Sequence, residues 1–193
     1  MNILDLNNMV LECIQCMDLC GTRKGVVSGI GNSSELMILG EAPGADEDAT
    51  GEPFVGRCGD LLTKMLSDCG IERDSTYITN VVKCRPTKNN KGKSNRPPTS
   101  QEVDNCKRWL WNELKILKPK VILTLGKVPT GLLLKLKKPF KLADYIEKEI
   151  SLDYMDNTYV VPCYHPSYLM QTGKHKMDIS MECIKIAKRS AGI

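Results

Sequence analysis

Two glycine- and proline-marked runs hold much of the chain's capacity for chemistry: Gly40-Glu41-Ala42-Pro43-Gly44, then Gly51-Glu52-Pro53-Phe54-Val55-Gly56-Arg57-Cys58-Gly59. They lie between an apolar run, Leu36 to Leu39, and Leu61-Leu62-x-x-Met65-Leu66, whose spacing is helical. The segment therefore reads as a long loop from the C-terminal end of a buried strand into a helix, the place where open α/β sheets hold their ligands. It carries Glu41, Asp46, Glu47 and Asp48, with Phe54 after a proline, and this suits a flat polar ligand stacked on the ring.

Cysteines form the second constellation. Cys13-x-x-Cys16 stands near the N-terminus, with Cys84 and Cys106 far along the chain. Two close and two distant cysteines can supply four thiolates to one metal centre, and zinc and a [4Fe–4S] cluster both accept four. Cys20, four residues after Cys16, competes as a ligand, whereas Cys58, Cys69, Cys163 and Cys183 sit in apolar patterns as buried thiols. Of the two histidines, His165 precedes a proline at the end of an apolar run, while His175 lies in Gly173-Lys174-His175-Lys176 and reads as solvated. Asn80 interrupts Ile78-Thr79-Asn80-Val81-Val82. Its bland role is a satisfied hydrogen bond, and its functional role is to offer a paired donor and acceptor to a base edge. Leu169-Met170 is packing or an apolar wedge for a base stack. Gly126-Lys127 lacks the other members of a phosphate loop.

The elements that must position these residues alternate. Four strands are expected, Glu35–Glu41, Tyr77–Val82, Val121–Leu125 and Tyr159–Cys163, separated by helical patterns at Asp60–Cys69, Ser100–Leu117, Val128–Leu136 and Met177–Lys188. Ser100-Gln101-Glu102-Val103, after Pro97-Pro98-Thr99, is an expected N-cap region for the second helix. The expected fold is a three-layer α/β/α sandwich on a central four-stranded, mainly parallel sheet, forming one domain over 1–193. In such a sheet Glu41, Asn80, Gly126 and His165 fall at strand C-terminal ends and line one cleft. Thr87–Thr99, rich in Lys, Asn and Pro, is expected to be an exposed basic insertion loop whose Lys91, Lys93 and Arg96 bind phosphates.

Composition bounds the class. A 193-residue chain with 41% hydrophobic residues has enough apolar material for a substantial core. No run is long enough to span a membrane, and residues 1–12 lack a signal-like pattern, so a cytoplasmic or other intracellular, non-secreted protein is expected. In a reducing compartment nine cysteines argue for metal ligation over disulfides. A net charge of +4 permits a polyanion partner without demanding one.

Taken in order, the motifs resemble the family 4, iron–sulfur-containing uracil-DNA glycosylases. The resemblance runs from Cys13-x-x-Cys16-x-x-Leu19-x-x-x-Arg23 and Gly29-x-Gly31 through Gly40-Glu41-Ala42-Pro43-Gly44, Glu47-Asp48 and Gly51-x-Pro53-Phe54-Val55-Gly56-x-x-Gly59. It continues through Thr79-Asn80-Val81-Val82-Lys83-Cys84-Arg85-Pro86, Glu102-Val103-x-x-Cys106, Leu125-Gly126 and His165-Pro166-Ser167. It implies a hydrolase of DNA repair that removes uracil from single- or double-stranded DNA; a monomer is expected. It implies a structural [4Fe–4S] cluster on Cys13, Cys16, Cys84 and Cys106. It places Glu41, Ala42 and Pro43 at the pocket backbone, Phe54 on the uracil face, Asn80 at its edge and His165 near O2. Glu47 falls where thymine's methyl is excluded, Glu41 orients water or steadies the sugar cation, and Ser167 and Leu169 meet DNA. The chain departs from the family at Cys58, where Ala or Ser is usual, and at Gln171, where an arginine is usual. A related branch traps itself on DNA through a histidine in a basic insertion; residues 85–105 contain none, so ordinary turnover is expected. The competing expectations are a glycosylase for another modified or deaminated base, a non-catalytic DNA-binding accessory protein, and a small electron carrier.

Overall fold

The computed structural model describes residues 1–31, 33–90 and 92–193, with Asn90 described by its backbone alone. Lys91, one of the expected phosphate contacts, lies outside the described residues.

Strands β1 (Leu36–Gly40), β2 (Tyr77–Asn80) and β3 (Val121–Leu125) are buried along their whole length, as strands covered on both faces must be. With β4 (Ile150–Ser151) and β5 (Tyr159–Cys163) they form one sheet in the order β2-β1-β3-β5-β4, parallel except for the β4–β5 pair. The sheet thus has five strands rather than the four expected. β4 spans two residues, too few to show a period of two in sequence.

Alternation along the apolar strands divides the core. Leu36, Ile38, Leu123 and Val161 face α4 (Gly56–Asp68) and the terminal α8 (Lys174–Ala191). Met37, Leu39, Ile122 and Val160 face α1 (Ile3–Leu11) and α5 (Ser100–Leu117). The three layers follow. α5 opens on a reciprocal capping box: Glu102 N–H donates to Thr99 Oγ1 at 3.2 Å, and Thr99 N–H donates to Glu102 Oε2 at 2.7 Å.

The remaining helices are α2 (Met17–Cys20), α3 (Ala45–Thr50), α6 (Lys127–Leu133) and α7 (Pro166–Leu169). α3 lies inside the stretch read as loop. Its six residues have no apolar period, and it forms because the Glu47 carboxylate accepts the Gly44 N–H at 2.9 Å. α8 begins at Lys174, so His175 sits exposed in its first turn rather than in a loop. Among the described residues no helix is long and apolar enough to cross a membrane.

Candidate active site

The parallel register puts Gly40 beside Asn80, which ends β1 and β2 at the same level. Past those ends Val81 N–H donates to Gly40 O and Val82 N–H to Glu41 O, each at 3.0 Å, so the two loops leave the sheet together. Gly40 is the hinge of the arrangement. A Cβ there would stand 2.3 Å from Asn80 Oδ1 and 2.5 Å from Phe54 Cζ, so only glycine lets the ring and the amide close over the strand end. Phe54 holds φ at 54°, and Arg73 Nη2 donates to Pro53 O at 2.8 Å to fix the preceding carbonyl. Gly59, in the first turn of α4, leaves room for the Phe54 carbonyl.

One cavity of about 620 Å³ opens at this edge, lined among others by Glu41, Phe54, Asn80, Gly126 and His165. The convergence expected for Glu41, Asn80, Gly126 and His165 is therefore realised, with Phe54 beside them. Ala42, Pro43, Glu47 and Ser167 line the same cavity. Asn80 and Phe54 are nearly covered, at 3% and 6% exposure. Glu47 combines two positions, since its carboxylate caps α3 and also borders the cavity.

The electrostatics separate the acid from the imidazole. Burial alone pushes the Glu41 carboxyl above the usual carboxylate range. Burial pushes the His165 imidazole down to about 4, so the ring is neutral at pH 7. Ser167 N–H donates to His165 Nδ1 at 3.1 Å, with Ser167 Oγ 2.8 Å from the same nitrogen. Nδ1 is thus an acceptor, and the proton belongs to Nε2. The His165 and Phe54 ring centroids lie 6.0 Å apart.

Two expectations change here. Leu169 is 3% exposed within the core and cannot enter a base stack; Tyr168 and Met170 are the exposed side chains of that turn, at 44% and 40%. The Thr87–Thr99 segment is exposed at Lys88, Lys93, Ser94, Asn95 and Pro97, as expected, but its Arg96 is held by the protein. Thr87 bridges Asn95, and Arg85 Nε donates to Asn95 Oδ1 at 2.7 Å. Arg96 gives its fork to Glu102 at 2.7 and 2.8 Å, tying the loop to α5, while Lys93 is exposed. The cavity walls formed by Asn95, Pro97, Lys127, Tyr164 and Tyr168 had no signal in sequence spacing.

The four candidate ligand cysteines also gather. Arg23 joins two of them, with Nη1 donating to Cys84 Sγ at 3.0 Å and Nη2 to the Cys13 carbonyl at 2.7 Å. Trp109 Nε1 donates to Cys13 Sγ at 3.3 Å, Asn105 Nδ2 to Cys16 Sγ at 3.6 Å, and Lys83 N–H to Cys106 Sγ at 3.2 Å. Each of these thiols therefore has an N–H donor. Burial pushes Cys84 up to about 11 and Cys106 up to about 12. Among the described residues no three His, Cys, Asp or Glu side chains converge closely enough to hold a single metal ion.

Residues 28–184 match the family model described as the uracil DNA glycosylase superfamily. A type-4 uracil-DNA glycosylase of Thermotoga maritima is 37% identical over 185 residues, covering 95% of this chain and 91% of the relative. One from Pyrobaculum aerophilum is 36% identical over 190 residues, with 94% and 93% covered. One from Archaeoglobus fulgidus is 45% identical over 124 residues, which span 64% of this chain and 59% of that relative. The chain belongs to the uracil DNA glycosylase superfamily and groups there with the type-4 members.

Proposed function

We propose that this protein removes uracil from DNA by hydrolysing the N-glycosidic bond, leaving an abasic site for repair inside the cell. The observation that carries the proposal is the placement of Phe54, Asn80 and a neutral, oriented His165 around one cavity at the C-terminal edge of the sheet. The target nucleotide leaves the stack and enters the cavity, as an enzyme working on a base requires. Phe54 stacks on the ring. The Asn80 amide gives its N–H to O4 and takes the N3–H, a pairing that cytosine mismatches. Glu47 closes the side where thymine carries its methyl.

As the C1′–N1 bond breaks, its electron pair goes to the base and charge collects on O2. Neutral His165 donates Nε2–H to that oxygen, an interaction stronger in the transition state than before it. The sugar becomes oxocarbenium-like and water adds to C1′, its released proton balancing the one the uracil anion takes up on leaving. Glu41 lies where a carboxylate orients that water or steadies the cation. Ser167 and exposed Lys93 meet the DNA backbone, with Lys91 as a further cation of the same loop.

Cys13, Cys16, Cys84 and Cys106 fit a [4Fe–4S] cluster. Four sulfurs each receiving an N–H suit ligation as thiolates, because such donors stabilise charge on sulfur. When bound, the group supplies a structural clip between the N-terminal segment, the β2 exit and α5, and no redox step.

The test is excision. The purified protein should release uracil from single- and double-stranded oligonucleotides and leave thymine and cytosine in place. Release of a different lesion base, with uracil untouched, would move the assignment to another specificity. Binding without release would indicate an accessory protein.

A further inference from the structure

Tyr168 stands at the rim of the same cavity, on the side away from β1 and β2. Its ring is 44% exposed and lies against Tyr164, with centroids 5.3 Å apart and planes tilted by 38°. Tyr164 is buried, takes a hydrogen bond from Lys176 Nζ at 3.1 Å and carries the same ammonium 5.0 Å from its ring centroid. The other exposed tyrosines, Tyr154 and Tyr159, do not border the cavity.

The turn that presents this ring is fixed. Tyr168 N–H donates to His165 O at 2.9 Å, and Tyr168 O accepts from Gln171 N–H at 3.0 Å and Thr172 Oγ1 at 3.1 Å. Leu169 anchors the turn in the core, and Met170 Sδ lies 3.9 Å from Cys58 Sγ of α4. An aromatic face left open on a pinned backbone loses little freedom on binding, which is the condition for an effective stacking surface. Cavities of this size accommodate ligands well beyond a single pyrimidine ring, so space remains once Phe54 and Asn80 hold a base.

We propose that Tyr168 is a stacking platform for the unpaired nucleobase next to the excised one, making single-stranded DNA a substrate with its own contact. The inference rests on the glycosylase reading above. A flanking base in a duplex already stacks on its neighbours and must leave them to reach Tyr168. In a single strand that cost largely disappears. Lys127, which lines the cavity, and Lys176, bonded to Tyr164 behind Tyr168, attract the strand without reading its sequence.

The experiment measures affinity for single-stranded and duplex oligonucleotides of one sequence, each carrying a non-cleavable deoxyuridine analogue, for the parent, Tyr168→Ala and Tyr168→Phe. A second readout is the fluorescence of 2-aminopurine placed beside the analogue. Stacking contributes about 1–3 kcal/mol per base, so Tyr168→Ala should lower the single-strand to duplex affinity ratio about 5- to 150-fold. Tyr168→Phe should keep the parental ratio, and the parent should quench 2-aminopurine in the single strand where Tyr168→Ala does not. An unchanged ratio, or equal losses on both substrates, overturns the platform. The same oligonucleotides with natural deoxyuridine separate this from the larger claim. Failure of the parent to excise uracil sinks the glycosylase reading, whereas excision with an unchanged ratio sinks the platform alone.

Discussion

At the scale of residues, the proposed reaction turns on His165. Its neutral state follows from burial and its proton position from Ser167, which in that proposal makes it a preorganised donor rather than a charge. Loss of one such donor typically costs about 100- to 1000-fold in rate. His165→Ala should therefore slow single-turnover excision by that factor while DNA affinity changes little, and His175→Ala, on the exposed start of α8, should be nearly silent. The pH profile has a defined sign. The imidazole titrates near 4, far below its usual value, so the active neutral form is complete at neutral pH and is lost as pH falls through 4. Where Glu41 acts as the carboxylate of the proposed mechanism, its raised value draws the acid limb upward in the same direction. A rate that is level around neutral pH and declines toward acid is expected from single-turnover measurements. A rate that increases on protonation near the unperturbed histidine value of about 6.5 would make the imidazolium the catalyst.

At the scale of elements, glycines govern how closely strand, loop and helix approach. Gly40→Ala sets a Cβ against the side chains of Asn80 and Phe54, while Gly59→Ala sets one 1.9 Å from the Phe54 carbonyl oxygen. Side chains can turn aside, and backbone must be moved. Gly40→Ala should accordingly keep the fold and lose excision through a deformed pocket. Gly59→Ala should destabilise, by about 1–3 kcal/mol as overpacking does, corresponding to roughly 2–12 °C in melting temperature. Calorimetry and the excision assay on both variants separate the two effects; equal melting temperatures would remove the distinction.

At the scale of the molecule, two devices join the layers. One is the cysteine centre. On the proposed cluster, Cys84→Ala should lose iron and sulfide together and melt far lower, because the other candidate ligands lie on segments distant in sequence. Metal analysis of the anaerobically purified parent should find four irons and four sulfides, and one zinc without iron would refute the cluster. The other is a buried polar network. Lys83 Nζ lies 2.8 Å from both Glu113 oxygens, and Glu113 also accepts from Tyr77 OH at 3.0 Å and Thr79 Oγ1 at 3.1 Å. Lys83 and Glu113 are 1% and 0% exposed, so Glu113→Ala strands a buried ammonium and should cost about 3–5 kcal/mol. A double replacement by apolar residues should recover most of that loss. Outside the core, Lys93→Ala should reduce the slope of log affinity against log salt by about one unit if it neutralises one phosphate. An unchanged slope would leave Lys93 a solvated side chain.

Much of this was legible in the chain. β3, β5 and α5 appear where the apolar runs and the expected N-cap region after Pro97-Pro98 place them, because buried parallel strands and an amphipathic helix leave strong local patterns. Glu41, Asn80 and His165 were identifiable because polar residues at strand ends stand out against those patterns, and the ordered motifs named the superfamily. What sequence could not supply was approach between distant segments. Nothing local announces that Arg96 is claimed by Glu102, that the hydrophobic pair after His165 divides into a buried Leu169 and an exposed Met170, or that Tyr168 faces the cavity. The neutrality of His165 and the N–H donor on each candidate ligand cysteine likewise arise only once burial and tertiary contacts exist. Local pattern determined which elements form and which residues stand at their ends; the tertiary structure decided their neighbours, and with them their charge, tautomer and exposure.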